Sequence, residues 1–159
     1  MYPRIPNGYH GGGGMNPLSL VKANTPETLQ EIFPLVVDIY PNLSQQDFIS
    51  RATKRTDYVA MRLFKVMDKS ALVGAVSFAR FHNMIHGDVL YLEEIVVKPE
   101  LRNKGYGRMI FDLVAQIAKS EACSVIYTDD SSPLGDRSGF FARLGGQKVS
   151  NLYEFKVAA

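Results

Sequence analysis

The chain has 159 residues, 46% of them apolar and 21% charged, the composition of a globular domain that buries roughly 70% of its unfolded surface. A single cysteine, Cys123, excludes a disulfide scaffold, and with three scattered histidines (His10, His82, His86) it makes no set of zinc ligands, so no metal is expected. Eighteen basic residues against sixteen acidic give a net charge of +2, too even for a dedicated nucleic-acid binder, and the longest nearly apolar run, Ala71 to Ala79, is too short to cross a bilayer.

Residues 1–16 hold four consecutive glycines, Gly11 to Gly14, and no apolar period, so a flexible tail is expected there and one domain over 17–159. No apolar signal core precedes that domain, which makes a cytoplasmic location the default expectation. Leu18 to Lys22 reads as a short strand. Thr25-Pro26-Glu27 starts a helix, with Thr as N-cap and Pro in the first turn. Leu29, Ile32, Phe33, Val36, Val37 and Tyr40 form its apolar stripe, and Pro34 predicts a kink or break. Ser44-x-x-Asp47 opens a second helix. Strands are expected at Tyr58 to Lys65, Leu72 to Phe81 and Val89 to Val97, with a loop at His82 to Asp88. A helix from Gly105 to Lys119 follows, buried through Met109, Ile110, Leu113, Val114 and Ile117. A strand at Ser124 to Thr128, a short helix at Gly139 to Leu144 and a closing strand at Tyr153 to Val157 complete the pattern. The order predicts an α/β (α+β) fold, a mixed sheet with helices on both faces.

The chemistry is concentrated between the strongest strand and the strongest helix, in Val97-Lys98-Pro99-Glu100-Leu101-Arg102-Asn103-Lys104-Gly105-Tyr106-Gly107-Arg108. Pro99 stops the strand. Gly105 and Gly107 permit positive φ and put no side chain between backbone and ligand. The first-turn N–H groups of the helix, its dipole and the charges of Arg102, Lys104 and Arg108 predict a seat for phosphate or diphosphate. Gly107 is followed by Arg108-Met109, which excludes a Walker loop, and Ile110 stands where a dinucleotide fingerprint needs its third glycine.

Val97-x-Pro99-x-x-Arg102-x-x-Gly105-x-Gly107 resembles the acetyl-CoA signature of the GNAT N-acetyltransferase superfamily, and the element order from Leu18 to Val157 is similar to that family's. Gly74 and Phe140-Phe141-x-x-x-Gly145 stand where relatives have two further glycine and aromatic motifs. Tyr91-Leu92-Glu93-Glu94 resembles the diamine and polyamine acetyltransferases. The resemblance implies a mostly antiparallel sheet of about six to seven strands, acetyl-CoA as co-substrate, a small-molecule amine as acceptor and a homodimer. It implies that Ile95, Val96, Val97, Arg102, Asn103, Lys104, Gly105, Tyr106, Gly107 and Arg108 bind the acyl carrier. Tyr91, Asp129 and Asp130 are expected on the acceptor side.

Glu93 and Glu94 interrupt an apolar strand, where a carboxylate is costly unless it is paired or opens on a cavity. Strict alternation puts Val89, Tyr91, Glu93, Ile95 and Val97 on one face and Leu90, Leu92, Glu94 and Val96 on the other. Both glutamates are catalytic candidates. The resemblance favours Glu93, as the acid that attracts a cationic amine or takes its proton; the bland alternative is an ion pair with a surface Lys or Arg. Three positions break the family pattern: Phe141 stands where many relatives have the tyrosine that protonates the leaving thiolate, Gly146 where they usually have Phe, and Leu134 near the place of an asparagine. Tyr106, Tyr127 or water are the remaining candidates for that proton, and unassisted departure of the thiolate, a good leaving group, is the alternative. The reading is an N-acetyltransferase acting on a cationic primary amine. The alternatives are a peptide or protein amine acetyltransferase, or a non-catalytic acyl-CoA-binding module.

Overall fold

A computed structural model describes residues 6–11 and 16–157. The contacts divide the chain into two units, one ending at Thr128 and one beginning at Asp129. In the first unit six strands form one sheet: β1 (Gly8–His10), β2 (Leu18–Lys22), β3 (Arg62–Asp68), β4 (Ala71–Asn83), β5 (Gly87–Val97) and β6 (Val125–Tyr127). They lie in chain order across the sheet. Every neighbouring pair is antiparallel except β5 and β6, which run parallel. That parallel step needs a crossover, and α3 (Tyr106–Ser120) supplies it.

Two apolar clusters mark the two faces of the sheet. Leu20, Phe64, Val66, Phe78, Leu90 and Leu92 meet Ile110, Leu113, Val114 and Ile117 of α3 on one face. On the other, Ala75 and Val96 meet Leu29, Ile32, Leu35 and Ile39 of α1 (Pro26–Ile39) and Phe48 of α2 (Gln45–Val59). Both helix starts form as the sequence requires. Thr25 Oγ1 accepts from the Thr28 amide, and the Thr28 side chain reaches back to the Thr25 amide. Ser44 Oγ accepts from the Asp47 amide.

Several elements differ from expectation. Gly8–His10, inside the segment expected to be a tail, is the edge strand β1; Tyr9 packs edge-on against Phe64 and its hydroxyl joins a buried ion pair. Residues 12–15, with most of the glycine run, lie outside the described residues. Helix α1 runs through Pro34 without a break, and its buried stripe is Leu29, Ile32, Leu35 and Ile39, rotated from the expected one. The expected strand start at Tyr58 is the last turn of α2, which ends on Ala60 in the left-handed region; the strand begins at Arg62. The expected loop shrinks to a tight turn because Asn83 Oδ1 accepts from the amides of Ile85 and His86, and Gly87 takes φ 73°.

In the second unit α4 (Ser138–Arg143) is the regular element among the described residues, and it stops before Gly145 at φ 86°. The expected strand at Tyr153 to Val157 does not form. Its residues are exposed and without regular structure, since an alternating segment becomes a strand only beside a partner edge and the described residues of this unit hold none.

Candidate active site

The site is built where β5 gives way to α3. Strand β5 continues to Val97, but its pairing with β6 ends at Tyr91↔Tyr127. From Leu92 to Val97 the β5 backbone therefore has no β6 partner among the described residues, and Ile95, Val96 and Val97 lie along that open edge. On the other edge Gly74 brings β4 close: a Cβ there would lie 2.3 Å from the Val96 carbonyl oxygen.

Beyond Val97 the chain makes a single 3-10 turn at Pro99–Leu101 and enters α3. Asn103 (φ 61°) and Gly105 (φ 88°) occupy the left-handed region. Gly107 lies inside the helix, as the expected span from Gly105 requires, where its lack of a side chain clears the first turn. Gly105 is the N-cap and provides no side-chain hydrogen bond, and the first-turn amides of α3 have no partner within the helix. A Cβ on Gly105 would meet nothing within 4 Å, so the backbone at the cap faces open space. Arg102, Lys104 and Arg108 are exposed around the opening. The Arg102 Nε–H donates to the Val97 carbonyl (3.1 Å), tying the loop to the strand end. An open, uncapped helix terminus ringed by three cations fits the diphosphate of an acyl carrier.

Tyr106 plays a different part from the one expected of its hydroxyl. It donates to Asp68 Oδ2 (3.0 Å) at the end of β3. That hydrogen bond, more than burial, holds the phenol above its ordinary pKa. The ring anchors the loop, while the backbone amide stays with the cradle.

The acidic pair is where alternation fails. Ser77 pairs with Glu94 and Phe78 with Leu92, so Glu93 is the extra residue of a β-bulge. The bulge resets the faces. Ile95 and Val97 join Leu90 and Leu92 on the α3 side, and Val96 joins the α1–α2 cluster. Alternation about those residues places Tyr91 and Glu94 on the α1–α2 side. Glu93 reaches the same side, where its Oε1 is ion-paired with Arg55 of α2 and its Oε2 accepts from Ser77 Oγ (2.9 Å). The expected sharing of one face by Glu93, Ile95 and Val97 is thus corrected, and so is the expected separation of the two glutamates.

Asp129 and Asp130 belong to the second unit. There Asp129 Oδ1 accepts from the Ser131 amide (3.0 Å) and Asp130 Oδ1 from the Arg137 amide (2.8 Å), which gives them loop-ordering roles. Phe141 lies in α4 with its ring centroid 5.8 Å from that of Phe140. Two residues that bear on the site, Arg55 and Ser77, were not singled out in the sequence. The only hint was the apolar spacing Leu90, Leu92, Ile95, Val97, whose three-residue step marks a bulge.

The sequence matches the Acetyltransferase (GNAT) family over residues 27–145, and the chain belongs to that family. Its fold is shared by an acetyltransferase from Trypanosoma brucei at 22% identity, covering 88% of this chain and 99% of that one with a TM-score of 0.66. The aminoglycoside N-acetyltransferase AAC(6')-Iy in complex with CoA is similar at 15% identity, 89% and 95% coverage and a TM-score of 0.69. An aminoglycoside acetyltransferase from an uncultured soil metagenomic sample, in complex with sisomicin, is similar at 13% identity, 90% and 98% coverage and a TM-score of 0.70. No curated protein matches as a sequence relative.

Proposed function

We propose that this acyltransferase moves the acetyl group of acetyl-CoA directly to a primary amine that carries positive charge, of the di- or polyamine kind. The observation that carries the reading is a carboxylate, Glu93, left out of the strand ladder by a bulge, on the strand that leads to the N-terminus of α3 with no side-chain cap. The resemblance of two similar structures to this fold supports it, since they are aminoglycoside acetyltransferases and aminoglycosides are polyamines.

Acetyl-CoA, when bound, supplies an activated thioester. The amides of Tyr106, Gly107 and Arg108 would hold its diphosphate, with Arg102, Lys104 and the backbone at Asn103 and Gly105 shaping the seat. The free edge of β5 at Ile95, Val96 and Val97 would donate to the acetyl carbonyl as negative charge grows on its oxygen. An aliphatic ammonium has a pKa of about 10, so the acceptor arrives protonated and must lose that proton to react. Glu93 attracts the cation and accepts the proton. The amine lone pair forms the C–N bond and the C–S bond breaks. The proton balance is one ammonium and one thioester giving one amide, one thiol and one released proton. Glu94, opposite Ser77 on the same side of the sheet, adds negative charge to the acceptor approach. Phe141 cannot donate a proton, so the thiolate leaves either unassisted or with a proton from water or another hydroxyl.

Thiol release from acetyl-CoA, measured across a panel from n-butylamine to diamines and triamines, tests the reading. Turnover is expected to rise with the number of amines, and Glu93→Gln is expected to lower it by about tenfold or more. Binding of CoA without thiol release on any amine would sink the acceptor assignment.

A further inference from the structure

The two partners of Glu93 differ in kind. Ser77 is 6% exposed and lies within the β4 ladder, so its hydroxyl is a fixed donor. Arg55 is on the last turns of α2, and its side chain is 43% exposed. On its own helix the neighbouring positions are Arg51, Ala52, Tyr58 and Val59. None of them is a carboxylate that could hold the guanidinium elsewhere, and Arg51 repels it. The carboxylate assigned to the acceptor amine thus already holds a cation, supplied by the chain itself on a long side chain at the rim.

We infer that the Arg55 guanidinium is an internal stand-in for the acceptor's ammonium group, seated on Glu93 until a cationic amine displaces it. Arg55 is then a specificity-determining residue. The exchange swaps one cation for another at Glu93 Oε1, so the carboxylate is never left bare, while Ser77 keeps Oε2 in place. A neutral or weakly cationic ligand has nothing to offer against a guanidinium that makes a charge-assisted hydrogen bond. An acceptor with several positive charges competes best. The inference rests on the acceptor role of Glu93, and the two can fail separately.

The test is steady-state thiol release by the full chain, with acetyl-CoA saturating and 1,4-diaminobutane or a linear triamine varied. A rim ion pair of this exposure sets the scale: Arg55→Met is expected to lower the amine KM by roughly two- to fivefold, with kcat within about twofold. The KM for acetyl-CoA should not move. Arg55→Gln should act like Arg55→Met, and Arg55→Lys should stay near the parent because it still offers a cation. In the Glu93→Gln background, adding Arg55→Met should change nothing. An amine KM that rises or stays the same in Arg55→Met and Arg55→Gln overturns the inference, as does a tenfold fall in kcat, which would mean that Arg55 positions Glu93 for the reaction. If Glu93→Gln loses turnover in that case, the acceptor role of Glu93 survives. If Glu93→Gln matches the parent, or no amine is acetylated, both are overturned.

Discussion

At Gly105 the backbone takes φ 88° and caps α3 without a side chain, so a single residue determines both the path of the loop and the access to the helix amides. An alanine there would meet no protein atom within 4 Å. Its cost to folding is therefore the left-handed conformation alone, about 1–2 kcal/mol. Its cost to the ligand is larger, because the new methyl group occupies the space in front of the donors. Gly105→Ala is expected to weaken CoA binding at least about tenfold by calorimetry, near 1.4 kcal/mol, while a modest fall in melting temperature reports the strain. An unchanged CoA affinity would move the diphosphate away from this loop. Gly107 is the instructive contrast. Its place in the motif and inside the helix that opens at Gly105 were both legible in the sequence, and its φ lies with the helix rather than with Gly105.

Among the elements, the β4–β5 hairpin shows how charge closes a turn. Arg80 Nη2 donates to Asp88 Oδ2 (2.6 Å) and His82 Nδ1 lies 3.2 Å from Oδ1. The hydrogen bond from Arg80, and then that from His82, hold the Asp88 carboxyl below its ordinary pKa. A depressed pKa in the folded state means that the unfolded chain takes up the proton first as pH falls. The stabilisation is complete above about pH 4, the ordinary aspartate value, and is lost as pH falls through the lower folded value. The melting temperature of the parent should exceed that of Asp88→Asn at neutral pH, and the difference should vanish in acid. A difference that does not shrink as pH falls below about 4 would assign the effect to shape instead. The hairpin itself was readable from its apolar strands. Its short turn was not, because it depends on one Asn83 side chain accepting from two amides. The end of α2 was misread for a related reason: Tyr58 and Val59 have strand-like side chains, yet they prolong a helix already started and capped at Ser44. The strand expected at Tyr153 to Val157 had the right alternation and no edge to join.

For the first unit as a whole, Arg62 ties distant parts of the chain together. Its guanidinium meets Glu121 at 2.5 and 3.0 Å, with side chains 5% and 16% exposed. It lies 4.7 Å from the centroid of the Phe78 ring, and the Tyr9 hydroxyl both accepts from it (3.1 Å) and donates to Glu121 (3.2 Å). Burial, above the other influences, raises the Tyr9 pKa and keeps its proton available to Glu121. Strand β1, strand β3 and the end of α3 are joined in one network. Removing one ion would leave the other buried and unpaired, at about 3–5 kcal/mol. Arg62→Met should therefore lower the urea midpoint strongly, and adding Glu121→Leu should restore much of it, since an apolar pair needs no partner. A double variant no better than the single one would place the cost in packing alone. The mixed α/β class, most of the element order and the glycine loop between β5 and α3 could be read from apolar period, proline and glycine. This network could not, because its members lie 53 to 112 residues apart.

The bulge at Glu93 has one more consequence. Because that residue is surplus to the ladder, excising it joins Leu92 to Glu94 opposite Phe78 and Ser77 and keeps Leu90, Leu92, Ile95 and Val97 in phase. A chain shortened by that single residue should still give the parent's circular dichroism spectrum and bind CoA while acetylating no amine. The architecture would outlive its chemistry, as it would if the glutamate had been inserted into an older, plain strand.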